Sequence, residues 1–257
     1  MSRVFFLVLA RDRNYVFEKI KELEALGFPF RIICGQHLDH PNVIYQAPNG
    51  KFAAINFGLS LIPDDAEIVA MNDVDTRIHR FDLVLQEFRD PKVGLSFGTE
   101  LIRTGPQRLF FRIMNPIRRR LPIAGSGELL LIRRNVLEKV CPLKPCKAED
   151  TYILFKVLQL GYKIVFCEGC YAETERTKTA SKEELYKRKT VTGIYQAMSY
   201  AKPPNLVRLF YVILPLASPI LLVMGKSGYY WMRGILLGLN DFLRGDQSGS
   251  WSTAYMD

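Results

Sequence analysis

Residues 51–76, KFAAINFGLSLIPDDAEIVAMNDVDT, constrain this chain more than any other stretch. The small residues Ala53, Ala54 and Gly58 fall on a helix that starts near Lys51 and can pack closely on a sheet. An apolar strand follows over residues 66–71, and the chain then turns through Asp73-Val74-Asp75. This order places two carboxylates at the carboxyl edge of a sheet, where open α/β folds bind ligands. Two carboxylates one residue apart suit a hard divalent cation that also takes phosphate oxygens, so the chemistry indicated is transfer from a nucleotide diphosphate. An Asp-x-Asp triplet alone does not decide this, because many are solvated turns.

The rest of the pattern supports an alternating architecture. A strand is expected at residues 4–9. A helix follows at 15–26, with Val16, Ile20, Leu23 and Leu26 at helical spacing. Strands are expected at 30–34, 42–45, 67–71, 93–97 and 163–166, and helices at 51–61, 81–89, 135–140 and 150–160. Such alternation argues for a parallel-rich α/β sheet. With 257 residues and 48% hydrophobic content, the chain can bury one sizeable core and carry an appendage.

Lys51-Phe-Ala-Ala-Ile-Asn56-Phe-Gly58, then Ala66-Glu-Ile-Val, then Asp73-Val-Asp75, resembles the family-2 glycosyltransferases of GT-A fold. Their pattern is Lys-x-x-x-x-Asn-x-Gly, a strand, then Asp-x-Asp. Two further blocks follow in the family's order. Gly127-Glu128 opens a segment resembling the acceptor-side strand and its helix. Ala148-Glu149-Asp150 opens a helix running to Leu160-Gly161-Tyr162, as in the family's Glu-Asp motif. The resemblance spans residues 1–195. It implies an α/β GT-A (Rossmann-like) fold, with a mixed, mainly parallel sheet flanked by helices and C-terminal apolar helices, in a membrane-associated subtype. It also implies an inverting, metal-dependent enzyme that moves a sugar from a nucleotide-sugar donor to a lipid-linked or glycolipid acceptor; the alternatives are a soluble glycosyltransferase acting on a glycan or small molecule, and a catalytically silent GT-A domain serving as an assembly partner.

The same resemblance assigns roles. Asp75 would be the direct ligand of Mg²⁺ or Mn²⁺, and Asp73 would hold the ribose or a metal-bound water. Lys51 would add positive charge near the phosphates, and Asn56 would tie its helix to a neighbouring strand. Gly127, Glu128 and Glu149 would lie on the acceptor side. Asp150 would be the general base. The chain also departs from the family. Its second strand ends in Cys34-Gly35-Gln36-His37 without the usual acid, and Ala10-Arg11-Asp12 replaces the usual Pro after the first strand. Ala10, Arg11 and Asp12 are the donor-side positions there, with Arg11 and Asp12 nearest for nucleobase contacts. Tyr186-Lys187-Arg188-Lys189-Thr190 stands where processive members carry Gln-x-x-Arg-Trp, which weighs against a polymer synthase. These bases, Lys189 among them, either grip diphosphate from a mobile loop or form a solvated basic helix.

A net charge of +9 favours anionic partners such as nucleotide diphosphates and anionic lipids. No nucleic-acid fold signature accompanies the arginines, so no nucleic-acid partner is expected. Residues 103–120 interleave six Arg with large apolar residues, as a solvated helix face or a membrane-facing patch would. Residues 209–225 carry no charge, a marginal length against the roughly 20 residues of a membrane span, and Pro215 and Pro219 would bend it. A second apolar stretch at 229–242 is interrupted by Arg233 and Asp241. The two stretches read as a membrane hairpin or interfacial helices, or as core helices of a soluble domain. The organisation expected is a catalytic domain at 1–200, a membrane-association segment at 205–245 and a tail at 246–257. The expected location is the cytoplasmic face of the cell membrane. Residues 4–10 are too short and too soon followed by charge to be a signal peptide. Cys167 and Cys170 lack a matching second pair, so the five cysteines are expected as reduced thiols.

Overall fold

Seven consecutive buried residues form β1 (Val4–Ala10), the strand from which the sheet is built. A strand without polar alternation needs cover on both faces. α1 (Val16–Leu26) and α2 (Lys51–Gly58) belong to the layers that supply it. The computed structural model describes residues 3–105, 107–175 and 179–249. Its remaining strands are β2 (Phe30–Cys34), β3 (Val43–Tyr45), β4 (Ile68–Asp73), β5 (Thr76–His79), β6 (Val93–Ile102), β7 (Leu129–Arg133) and β8 (Lys163–Thr174). The remaining helices are α3 (Phe81–Gln86), α4 (Gln107–Arg120), α5 (Arg134–Val140), α6 (Glu149–Gln159), α7 (Ala180–Tyr200), α8 (Asn205–Ala217) and α9 (Gly225–Leu243).

The sheet has eight strands in the order β3-β2-β1-β4-β7-β6-β8-β5. β3, β2, β1 and β4 run parallel. β7 lies antiparallel between β4 and β6, β8 runs parallel to β6, and β5 closes the edge antiparallel to β8. The sheet is therefore mixed and mainly parallel. One face packs Leu7, Val69, Leu130 and Phe155 into a core with α2, α5, α6 and α7. The other packs Phe6, Val8, Val16 and Phe81 with α1 and α3. The small residues of α2 act as expected: a Cβ on Gly58 would lie 2.6 Å from Leu7 Cδ2, so the helix sits hard against β1.

Several expectations change. β6 and β8 run on past Phe97 and Phe166, through a register irregularity at Gly98/Thr99. Thr99, Glu100, Glu168 and Glu173 break the apolar pattern there, so periodicity alone ended those strands early. Asn56 does not tie its helix to a strand. Its amide donates to the Leu143 carbonyl (2.9 Å) and accepts from the Leu143 amide (2.7 Å), fastening α2 to the loop after α5. Lys187, Arg188 and Lys189 sit inside the 21-residue α7 rather than on a loop. Gly193, in the same helix, is the point where α7 meets the Ala148 backbone. All five cysteines are unpaired.

α9 lies along α7. Gly234 and Gly238 allow the contact, since a Cβ on either would come within 2.7 Å of the Glu184 or Arg188 carbonyl oxygen. Trp231 and Ile235 are buried, Trp231 Nε1 donates to Glu183 (3.0 Å), and Asp241 accepts two bonds from Arg188 (2.5 and 2.7 Å). Beyond α9, Lys147 pairs with Asp246 at 2.5 Å, which draws residues 246–249 back onto the loop before α6. The remainder of the expected tail, 250–257, lies outside the described residues. α8 and the 3-10 turn after it, Ser218–Met224, are different. Leu216 is 80% exposed, Ile220 69% and Val223 85%.

Candidate active site

β1 and β4 end side by side, with Leu9 opposite Asp73. The turn after β1 therefore faces the Asp73-Val74-Asp75 turn. Between them opens a cavity of about 1550 Å³, lined by Arg11, Asp12, Lys51, Asp73, Asp75, Gly127, Glu128, Glu149, Asp150 and Lys189. The structure thus gathers residues that are up to 178 positions apart, Arg11 to Lys189, around one space. Ala10 is the exception: it is fully buried in β1 and does not line the cavity, and its carbonyl accepts from the Gly35 amide (2.9 Å).

Lys51 reaches from the first turn of α2 to both oxygens of Asp73, at 2.6 and 2.7 Å, and lies 3.7 Å from Glu149. Burial opposes its charge, but Asp73 and Glu149 outweigh burial and its pKa rises. Asp73 is thereby oriented, while Asp75 projects to the exposed side of the turn. Glu149 and Asp150 open α6, where acidic side chains match the positive end of the helix dipole. Burial is the largest influence on both. It pushes Glu149 up to about 7, with Lys51 pulling the other way and Asp150 adding repulsion. The Asp150 pKa also rises through burial, against a 2.7 Å hydrogen bond from the Thr151 amide. Two glycines shape the space around Asp150. A Cβ on Gly125 would strike its backbone at 2.7 Å, and one on Gly127 would stand 3.5 Å from its Oδ2 and 3.8 Å from Lys51 Nζ. Burial lowers the pKa of Lys189, which enters from α7.

Three residues of this site were not picked out from sequence. Lys19 on α1 is buried, and its ammonium donates to Asn72 Oδ1 (2.7 Å), to Glu22 (2.6 Å) and to the Thr76 carbonyl. Asn72 in turn donates to Thr76 Oγ1 (2.8 Å) and to the Glu128 carbonyl. This network grips both flanks of the acidic turn from beneath. Its signal in the sequence was a lysine on the apolar stripe Val16–Ile20–Leu23. Tyr15 lines the cavity beside Arg11 with φ = +61°, a left-handed conformation that is uncommon outside glycine and that clusters at functional sites. Arg118, on α4, is buried against Glu100 (2.5 Å) and donates to the Gly125 carbonyl (3.0 Å).

The donor set fits the expected ion. Among the described residues no three His, Cys, Asp or Glu side chains group closely enough to hold a metal alone. Mg²⁺ and Mn²⁺ favour oxygen donors, and Mg²⁺ in particular is usually held by one or two carboxylates while phosphate and water complete its shell. Asp73 and Asp75 provide that incomplete set.

No protein-family model matches the chain, and no curated protein matches it in sequence. Solved structures do match. The mannosyltransferase PcManGT from Pyrobaculum calidifontis, in complex with GDP-Man and Mn²⁺, superposes with a TM-score of 0.72 at 16% identity, over 95% of this chain and 88% of that one. GalNAc-T7, solved with UDP, GalNAc and Mn²⁺, gives 0.56 at 10% identity, over 95% of this chain and 56% of that one. The likeness establishes the fold, which is the GT-A arrangement of an α/β sheet.

Proposed function

We propose that this chain is a metal-dependent glycosyltransferase that moves a sugar from a nucleotide-sugar to a lipid-linked acceptor by an inverting displacement. The observation that carries the proposal is the set of Asp73, Asp75, Lys51 and Asp150 on one cavity at the carboxyl edge of the sheet. The two structures described above were solved with Mn²⁺ and a nucleotide or nucleotide-sugar, which supports the same donor class here.

Each residue has a defined task. Asp73 and Asp75 would hold Mg²⁺ or Mn²⁺, which when bound would supply positive charge against the leaving nucleoside diphosphate. Lys51 keeps Asp73 aimed and adds positive charge beside it. Lys189 contributes a second ammonium from α7. Arg11, Asp12 and Tyr15 offer hydrogen bonds and an aromatic face to the nucleoside. Asp150 takes the proton from the acceptor hydroxyl as that oxygen attacks the anomeric carbon opposite the leaving group. Its raised pKa strengthens it as a base. One displacement of this kind inverts the anomeric configuration.

The outer surface supports a membrane seat. The helical run Asn205–Leu243 has a mean hydropathy of 2.2 over its most apolar stretch, and only 17% of that stretch is buried. α4 adds exposed Leu109, Ile113 and Ile117 among exposed Arg108, Arg112 and Arg120. Apolar residues with arginines beside them suit a helix lying in an anionic lipid interface. Unpaired thiols fit the reducing side of the membrane.

The test is a panel of UDP- and GDP-sugars with Mn²⁺, reading release of the nucleoside diphosphate. One donor should be turned over, and Asp75→Ala should abolish the release. Turnover of no donor, or turnover unchanged in Asp75→Ala, contradicts the proposal.

A further inference from the structure

The cavity does not end at Asp150. It continues beneath α4 and α8 into a chamber walled by Phe110, Met114, Ile123, Phe210, Leu214 and Leu221. At about 1550 Å³ the whole space exceeds the roughly 300–1,000 Å³ of a site for one small ligand, so it has room for a second beside the donor. The chamber wall is also the outer apolar surface. On α8, Phe210 and Leu214 face inward, while Leu209, Val212, Ile213 and Leu216 on the same helix face out.

Where the chamber meets the catalytic carboxylate stands Arg118, with its side chain 4% exposed. Its two terminal nitrogens are bound to Glu100, Asn115 and the Gly125 carbonyl. Its buried Nε, among the described residues, has no hydrogen-bond partner. Arg118 itself lines the cavity, so its buried positive charge and incompletely bonded guanidinium stand beside any head group held there.

We infer that the chamber binds the hydrocarbon chain of an amphiphilic acceptor, with a head-group oxygen on Arg118 and the reacting hydroxyl at Asp150. This inference rests on the glycosyltransferase proposal and names its acceptor class: a polar head on one long alkyl or isoprenoid chain. The chain passes under α8, whose opposite face meets the lipid.

The test does not require the sugar donor to be known. Butyl and dodecyl phosphate, and butyl and dodecyl maltoside, are titrated calorimetrically into the full chain below their micelle concentrations. The dodecyl compounds should bind at least ten-fold more tightly than the butyl ones, because each buried methylene adds to the driving force, and with a negative heat-capacity change. The phosphate and maltoside arms distinguish an anionic head from a neutral one at Arg118. Leu214→Trp fills the chamber and should lower dodecyl affinity ten-fold or more, and Leu221→Trp provides a second block should the first unfold. Leu216→Ser, outward on the same helix, should leave dodecyl affinity within two-fold. Equal affinity for butyl and dodecyl compounds overturns the inference. So does a loss in Leu216→Ser as large as in Leu214→Trp, which would put the chain on the outer face. Nucleotide binding with Mn²⁺, measured on the same samples, separates failure of this inference from failure of the proposed activity.

Discussion

At the sheet end of the cavity Lys51, Asp73 and Glu149 interlock by charge, whereas at the α8 end Phe210, Leu214 and Leu221 present hydrocarbon, and Asp150 and Arg118 stand where the two meet. The sheet end is built on strand termini held by buried polar networks, so its groups are fixed before any ligand arrives. The α8 end is built on a helix that is apolar on both sides. The difference teaches that the two ends offer different physics to a ligand: the first placed charge and the second the exclusion of water.

The sharpest way to break this division is at its boundary. Asp150→Asn should reduce transfer by about 10²–10⁴-fold, the usual contribution of a general base. Single-turnover transfer reads that loss, and a thermal shift with Mn²⁺ and nucleotide should show donor affinity nearly unchanged. Equal loss of donor affinity would move Asp150 into the donor half.

A smaller effect is expected beneath the acidic turn. Lys19→Met removes the ammonium that ties Asn72 and the Thr76 carbonyl together. Mn²⁺ affinity in the presence of nucleotide should fall about 10–100-fold, the typical cost of losing a group that orients metal ligands. Calorimetric titration checks this, and Lys19→Arg should recover part of it. An unchanged Mn²⁺ affinity would show that the turn stands without its support.

Acidification sharpens the comparison further. Asp150 must be ionised to accept a proton. Burial raises its pKa, so kcat/KM should fall with decreasing pH above the ordinary Asp range of about 4. Glu149 titrates at about 7, so Glu149→Gln should remove one step from the acid limb. The sign for stability is opposite to that of an ion-paired acid. A folded pKa above the unfolded 4.5 favours the folded state below 4.5, and that contribution is lost as pH rises through about 7. The rise from 4.5 to about 7 is worth about 3 kcal/mol, so the Tm of Glu149→Gln should gain on the parent by roughly 7–14 °C between acid and neutral pH. A difference that stays constant with pH would contradict the burial of Glu149. The smallest effect belongs to the outer face: Leu216→Ser should change stability by less than about 0.5 kcal/mol in thermal denaturation while weakening flotation with anionic vesicles. Unchanged flotation would remove the membrane seat.

Much of this was legible in the sequence for physical reasons. Val4–Ala10 and Ile68–Asp73 are apolar runs that only a covered sheet can bury, and helical spacing in α1 matched its buried face. The acidic turn and Asp150 followed from motif order. Lys19 and Arg118 did not follow, because a buried cation is recognised only by partners far away in sequence, such as Asn72 and the Gly125 carbonyl. The two C-terminal stretches looked alike as strings of apolar residues. Gly234 and Gly238 separate them, since they let α9 close onto α7, while α8 bears no such pair and keeps Leu206, Leu209 and Leu216 outside.

The central claim is that Asp73 and Asp75 hold a cation jointly with a nucleotide diphosphate. Electron paramagnetic resonance of Mn²⁺ titrated into the protein with and without GDP or UDP tests it most directly. The account predicts one tightly bound Mn²⁺ per chain that requires the nucleotide and disappears in Asp75→Ala. Binding that is indifferent to the nucleotide, or that persists in Asp75→Ala, would contradict it.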